Sequence, residues 1–270
     1  MRLDEDFPDI DTTTASAARV YDYALGGTDN YQIDRQVMEA LEDIMPGSFA
    51  QARINRRYLE RVVRYLTGEC GIRQFIDNGS GLPTQNNVHQ IAQGVAPGAR
   101  VLYVDKDPVV LRHQKVGALL AEDESTAFVL ADARDVSAIM VHPDTVRLID
   151  FSQPVAVLYL SFLHLIPDDD DPGGMIGWMM DHMAPGSYLA LSHVVSDDPA
   201  TRQKVTDFAS ERPGSSAVRV RARAEVAEFF EGLEIVEPGL VHVADWRPDS
   251  SDDVQAPAMF EYGGVGRKPG

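Results

Sequence analysis

The sequence predicts an α/β protein: a mostly parallel sheet of seven strands, helices on both faces, and a helical N-terminal extension. Three observations carry this. From residue 73 onward, short apolar runs alternate with segments of helical spacing, the pattern of βαβ units. One of those runs, PVAVLYL at 154–160, is apolar throughout, as a strand buried on both faces of a parallel sheet should be. Before residue 73 the spacing is helical, with Ile54, Tyr58, Leu59, Val62, Val63 and Leu66 on one face of 53–67. The division sets a helical extension or lid at 1–72 and an α/β domain at 73–270.

The elements follow in order. RQFID at 73–77 is a first strand that runs into a glycine-rich loop. Thr84 is placed to cap a helix through His89 to Val95, which Gly94, Pro97 and Gly98 end. VLYVD at 101–105 is a second strand. Asp107-Pro108 then reads as a cap followed by proline at the first helical position of a helix over 109–120. Further strands fall at 127–131, 154–160 and 188–194. Helices at 172–183 and 199–211 flank the fifth strand. A helix at 223–231 leads into a strand at 233–236, and a last strand at 257–263 closes the chain.

Composition narrows the function. The 270 residues carry 42 acidic against 24 basic side chains, a formal charge of −18. Such a surface repels phosphate backbones and anionic lipid, so neither nucleic acid nor a membrane is an expected partner. One cysteine, Cys70, excludes an internal disulfide and a cysteine-rich zinc site. The seven histidines show no ligand spacing, so no metal is expected. The acidic N-terminus is no signal peptide, and the longest apolar stretch, 155–166, is too short to span a bilayer. A cytoplasmic protein is expected. Nothing in the sequence sets an oligomeric state.

The chemistry concentrates in the first loop, Asp77-Asn78-Gly79-Ser80-Gly81-Leu82-Pro83-Thr84. Gly79 and Gly81 let the backbone turn tightly and approach a ligand without interference from Cβ. Asp105 ends the second strand, where a carboxylate can accept both hydroxyl protons of a ribose. Asp132 follows the third strand; its carboxylate and the Ala133 N–H can read the amino edge and ring nitrogen of adenine. Acids at strand ends also cap turns, the bland alternative. A dinucleotide fingerprint wants a third glycine where this chain has Thr84, and no second glycine turn follows.

Asp77, Ala131-Asp132-Ala133 and the terminal strand pair resemble class I S-adenosylmethionine-dependent methyltransferases. A narrower resemblance rests on ARVYDYALGGTDNYQIDR at 18–35, Ile54-Asn55-Arg56, Gly81-Leu82-Pro83-Thr84, LYVDKDP, LHLIPD and the closing YGGVGRK. With these the chain is similar to a bacterial family of S-adenosyl methyltransferases, over residues 17–268. In that family Gly-Leu-Pro-Thr replaces the third-glycine loop; Asn78 departs from it, an apolar residue being usual there.

The resemblance implies a Rossmann-like sheet with an antiparallel last strand. It implies S-adenosylmethionine as cofactor, S-adenosylhomocysteine as product, and a cofactor set that includes Asp77, Gly79, Gly81, Asp105, Lys106, Asp132, Ala133 and Ser161. The acceptor, a small molecule by expectation, is not implied. A non-catalytic S-adenosylmethionine-binding protein and a nicotinamide-dependent oxidoreductase are the rival readings.

Pro83 lacks an N–H, so the carboxylate end of the cofactor needs other donors. Arg19, Tyr21 and Asn30, beside Gly26-Gly27, are candidates in a lid over 12–35 hinged at those glycines. The same residues can instead form a helix end packed on the domain. Ser161 and His164 follow the buried fourth strand, beside the expected position of the reactive methyl. His164 is the candidate proton acceptor, or else a packed histidine under the run Asp168 to Asp171. That run reads as a solvated loop and helix start.

Overall fold

The computed structural model describes residues 11–83, 86–112, 124–211, 218–249 and 260–270. Three helices come first: α1 (Ala17–Ala24), α2 (Gln32–Ile44) and α3 (Ser48–Gly68). Strands and helices then alternate as β1 (Gln74–Asn78), α4 (Val88–Val95), β2 (Arg100–Asp105), α5 (Pro108–Arg112) and β3 (Thr126–Leu130). Next come α6 (Val136–Val141), α7 (Pro143–Leu148), β4 (Ala156–Leu160), α8 (Pro172–Asp181), β5 (Tyr188–Val195), α9 (Pro199–Ser210) and α10 (Arg223–Glu228). The chain closes with β6 (Glu234–Ile235), β7 (Val241–His242) and β8 (Phe260–Arg267).

The sheet runs β3-β2-β1-β4-β5-β8-β6, with β7 also on β8. Strands β1 to β5 pair in parallel, and β8 is antiparallel to β5, β6 and β7. This is the expected Rossmann-like sheet with one strand more than seven. The extra strand, β7, is two residues long, too short to leave an alternating signature. Helices α6 and α7 were also not expected. Each is six residues long, below the window in which helical spacing can be read. Asp135 caps the first through the Ala138 N–H, and Pro143 starts the second.

The period of two along each strand divides the core. Ile76, Leu102, Val157, Tyr159, Leu189 and Leu191 face α8 and its methionines. Phe75, Val101, Ala156, Leu158, Leu160 and Ala190 face α3 and α4. Helix α3 is therefore a full layer of the sheet. Its Tyr58 hydroxyl donates to the Gly264 carbonyl at 2.9 Å, and Arg61 donates to the Trp246 and Val243 carbonyls. The closing YGGVG is explained by β8 itself: a Cβ on Gly263 would lie 2.0 Å from the Leu191 carbonyl oxygen of β5. Among the described residues, no helix is long and apolar enough to cross a membrane.

Thr84, residues 113–120 of the expected 109–120 helix, and the expected strand start at 257–259 lie outside the described residues. Helix α4 starts after Asn87, which shares a reciprocal capping box with Gln90. Asp107 caps α5 as expected, accepting from the Val109 N–H at 2.9 Å.

Candidate functional site

Strand order reverses between β1 and β4, and ligands in open α/β sheets lie outside the carboxyl ends at such a switch point. A cavity of about 440 Å³ opens there. Its floor is the loop after β1. Gly79 has φ +68°, and a Cβ on it would lie 2.0 Å from the Phe162 ring, so only glycine lets the loop pass under that ring. Gly81 turns its N–H onto Asp105 Oδ2 at 2.8 Å, while Asp105 Oδ1 accepts from the Asp107 N–H at 2.9 Å. Asp105 thus holds the loop after β1 and the turn after β2 together. Burial pushes its carboxyl up from the usual range. Each oxygen retains lone-pair capacity for a ligand donor.

Asp77, at the end of β1, is buried, and burial pushes its carboxyl up to about 7. The Arg56 guanidinium opposes that shift and the Asp105 charge adds to it. Arg56 and Lys106 are the cationic side chains on the cavity wall among the described residues, and Arg56 donates to the Asn86 carbonyl at 2.8 Å. Ala133 is buried in the wall beside Asp132.

The structure corrects three expectations here. Asp132 lines the cavity, but Arg134, two residues on, closes over it. The guanidinium donates to both carboxylate oxygens, at 2.9 and 2.5 Å, and also to Asp170 at 2.6 Å. With Lys106 at 3.7 Å, these contacts hold the Asp132 carboxyl at about 2, the Arg134 hydrogen bond being the largest cause. The carboxylate expected to read a base is thus already engaged by Arg134 and Lys106. Arg19 and Asn30 do not line the cavity. Arg19 lies buried against Asp34 at 2.9 Å and donates to the Asp11 and Thr14 carbonyls. Asn30 donates to Asp22 Oδ2 and the Gly27 carbonyl, and its own Oδ1 accepts from Arg35. The Asp168–Asp171 run gives the expected helix start, but Asp168 and Asp170 are ion-paired rather than simply solvated. Asp168 pairs with Arg219 and Arg221, Asp170 with Arg134, and Asp171 caps α8 through the Gly174 N–H.

Tyr21 does line the cavity, as part of a roof formed by α1 and the residues just before it. Its hydroxyl donates to the Ala52 carbonyl at 3.1 Å and accepts from Asn55 at 3.0 Å. Ser16 latches that roof to the sheet by donating its hydroxyl to Asp107 Oδ2. Of the pair Gly26-Gly27 expected as a hinge, Gly26 has φ +83° and open space where a Cβ would stand, whereas a Cβ on Gly27 would lie 2.0 Å from Asp22 Oδ1.

The far wall is the loop after β4. Ser161 has φ +52°, its N–H donates to the Ser192 carbonyl and hydroxyl oxygens, and its own hydroxyl donates to Glu261. His164 Nδ1 is buried with no hydrogen-bond partner, and burial pulls its imidazole down to about 4. Arg221 fixes this loop by donating to the Leu163 and Ile166 carbonyls and to His193 Nε2. Because arginine only donates, His193 must be neutral with its proton on Nδ1, facing the Val194 carbonyl at 2.7 Å.

Ser16, Asn55, Arg56 and Glu261 were not named as site residues from sequence. Asn55 and Arg56 stand in the Ile54-Asn55-Arg56 motif, and Glu261 is the lone acid of the closing strand, but neither pattern tells where in the fold the residue will reach.

A family model described as S-adenosyl methyltransferase matches residues 4–269. The chain belongs to the S-adenosyl methyltransferase family. It is a methyltransferase, and S-adenosylmethionine is its cofactor. A DUF574 family protein from Streptomyces avermitilis is 39% identical, with TM-score 0.90, covering 97% of this chain and 100% of that one. A protein from Thermobifida fusca described as a candidate methyltransferase is 42% identical, with TM-score 0.89, covering 96% and 97%. At the level of fold alone, an N1-methyltransferase from Burkholderia thailandensis acting on 1,6-didemethyltoxoflavin is similar, at 14% identity, TM-score 0.52 and coverage of 98% and 94%. No curated protein matches.

Proposed function

We propose that this methyltransferase acts on a small-molecule acceptor by in-line displacement, holding S-adenosylmethionine in the cavity at the β1/β4 switch point. The observation that carries the reading is Asp105, half-buried on the wall of a ligand-sized cavity and bonded to the Gly81 N–H of a turn whose Gly79 has no room for a side chain. The residues fit the cofactor. Asp105 would accept the ribose hydroxyls, Asp77 would face the methionyl ammonium, and Arg56 would take the methionyl carboxylate in place of Arg19. Asp132 would serve the adenine edge only once Arg134 turns aside, with the Ala133 N–H beside it. When bound, S-adenosylmethionine supplies a methyl group made electrophilic by the sulfonium. The chain's part is to align and to exclude water, with α1 as the roof.

Calorimetry should show S-adenosylhomocysteine binding and no comparable signal from NAD. Hydrogen exchange on the same complex should protect 17–24, the roof. Turnover of S-adenosylmethionine to S-adenosylhomocysteine with an added acceptor separates an enzyme from a binding protein. Tight NAD binding, or no S-adenosylhomocysteine binding, would sink the reading.

A pH test follows from Asp77. Its carboxyl is raised to about 7 in the folded protein and returns to the ordinary range on unfolding. Between those values the folded state holds a proton the unfolded chain has lost. This contribution to stability is therefore full below about pH 4 and is lost as pH rises through 7. Glu261, raised to about 7 by burial, acts in the same direction. An ammonium against Asp77 favours its ionised form, so S-adenosylhomocysteine affinity should rise between pH 6 and 8. Asp77→Asn should flatten that rise; an unchanged slope would remove Asp77 from the ammonium site.

A further inference from the structure

A second cavity, of about 200 Å³, lies behind the far wall of the first. The two share Ser16, Tyr21, Ser161, His164 and Leu165 as lining. Its other walls come from α1, α2, α9 and the segment before α10, through apolar residues such as Val20, Met38, Leu41, Val205 and Val220. For scale, an apolar protein cavity of about 150 Å³ holds benzene. Neither a lysine nor an arginine lines this one among the described residues. An anionic ligand would lose its hydration there and gain no cation.

Beside Glu261 and His164, its polar groups are the Ser16, Tyr21, Ser48 and Ser161 hydroxyls and the Gln51 amide, none of them charged. Glu261 is buried at its edge and accepts the Ser161 hydroxyl. His164, whose buried Nδ1 has no hydrogen-bond partner, stands on the wall common to both cavities. The left-handed backbone at Ser161 is what turns that hydroxyl to Glu261, and the Ser192 hydroxyl, which donates to Asn55 at 2.7 Å, supports the same corner. The Glu261 carboxylate, which only accepts when ionised, suits a ligand that brings a hydrogen-bond donor.

We propose that the second cavity is the acceptor site. It takes an uncharged molecule about one ring in size, whose nucleophile is an O–H or N–H presented at the Ser161–His164 wall with Glu261 as proton acceptor. The inference rests on the methyltransferase reading above and names its substrate class. In the transfer, a lone pair on the acceptor oxygen or nitrogen forms the new bond to the methyl carbon. The carbon–sulfur bond breaks with its pair kept by sulfur. The acceptor's proton passes to the Glu261 carboxylate.

The test uses the full chain saturated with S-adenosylhomocysteine and labelled with ¹³C at the methionine methyls, since Met38 and Met45 both line the cavity. Probes are 4-ethylphenol, 4-ethylaniline and 4-ethylbenzoate. At least one neutral probe should move the Met38 and Met45 resonances, and the benzoate should not. The phenol and aniline arms decide between oxygen and nitrogen. Glu261→Gln should weaken the neutral probe at least fivefold with S-adenosylhomocysteine binding kept. Val37→Trp, which adds bulk to a half-buried position of the lining, should abolish it, and serves if Glu261→Gln does not fold. If S-adenosylhomocysteine binds but no neutral probe moves Met38 or Met45, or the benzoate binds equally well, the acceptor site is wrong and the cofactor reading stands. If S-adenosylhomocysteine itself fails to bind, both fall.

Discussion

Asp105→Ala is expected to weaken S-adenosylhomocysteine binding by at least ten- to a hundredfold, measured by calorimetry. Hydrogen bonds from a ligand hydroxyl to a charged group are each worth about 1.5–3 kcal/mol. In the proposed site this carboxylate would meet a ribose, and it also accepts the Gly81 and Asp107 N–H groups. Removing it frees the turn that forms the cavity floor, so the ligand must pay to reorder the loop as well as lose its partner. Asp105→Asn separates the two parts. Its amide oxygen can still accept the Gly81 N–H, while its NH2 cannot accept the Asp107 N–H, so the floor turn should hold in large part while the charge-assisted bonds to ribose weaken. An Asn variant as weak as Ala would assign the whole loss to charge. An Ala variant of unchanged affinity would remove Asp105 from the ribose site.

That residue could be read from sequence because everything that defines it is local. A strand end, a glycine turn 24 residues earlier and a following helix start are all patterns of near neighbours. The layered sheet was legible for the same reason, since β4 and α3 announce their burial in their own spacing. What sequence could not supply was partner choice. Asp132 was read as open, although Arg134 stands two residues away, because a carboxylate at a strand end and an arginine in the next turn carry no signal that they will pair. Arg19 was read as a ligand donor because Pro83 lacks an N–H and Arg19 stands in a polar, aromatic segment beside a glycine pair. Arg56 reaches the cavity only because α3 lies across the sheet, which no spacing along the chain reveals. Glu261 lies a hundred residues from Ser161, and only the antiparallel return of β8 along β5 brings them together.

Arg19→Leu is expected to cost stability, on the order of 3 kcal/mol in chemical denaturation. Arg19 and Asp34 are 2% and 0% exposed, with Nε 2.9 Å from Oδ2. Breaking one side of such a pair strands the other charge, typically at about 3–5 kcal/mol. The low end applies because Asp34 still accepts the Ser16 and Tyr31 N–H groups at 3.0 and 2.8 Å. Arg19 also donates to the Asp11 and Thr14 carbonyls and lies over the Tyr31 ring, so its loss loosens the start of α1. A looser roof would itself reduce cofactor affinity, which would mimic a lost ligand contact. The double variant Arg19→Leu/Asp34→Leu tells the two apart. With no charge left to strand, it should regain part of the stability and, with it, part of the S-adenosylhomocysteine affinity. If the double variant recovers stability while affinity stays at the level of Arg19→Leu, the guanidinium touches the ligand after all, and Arg56 is not its replacement.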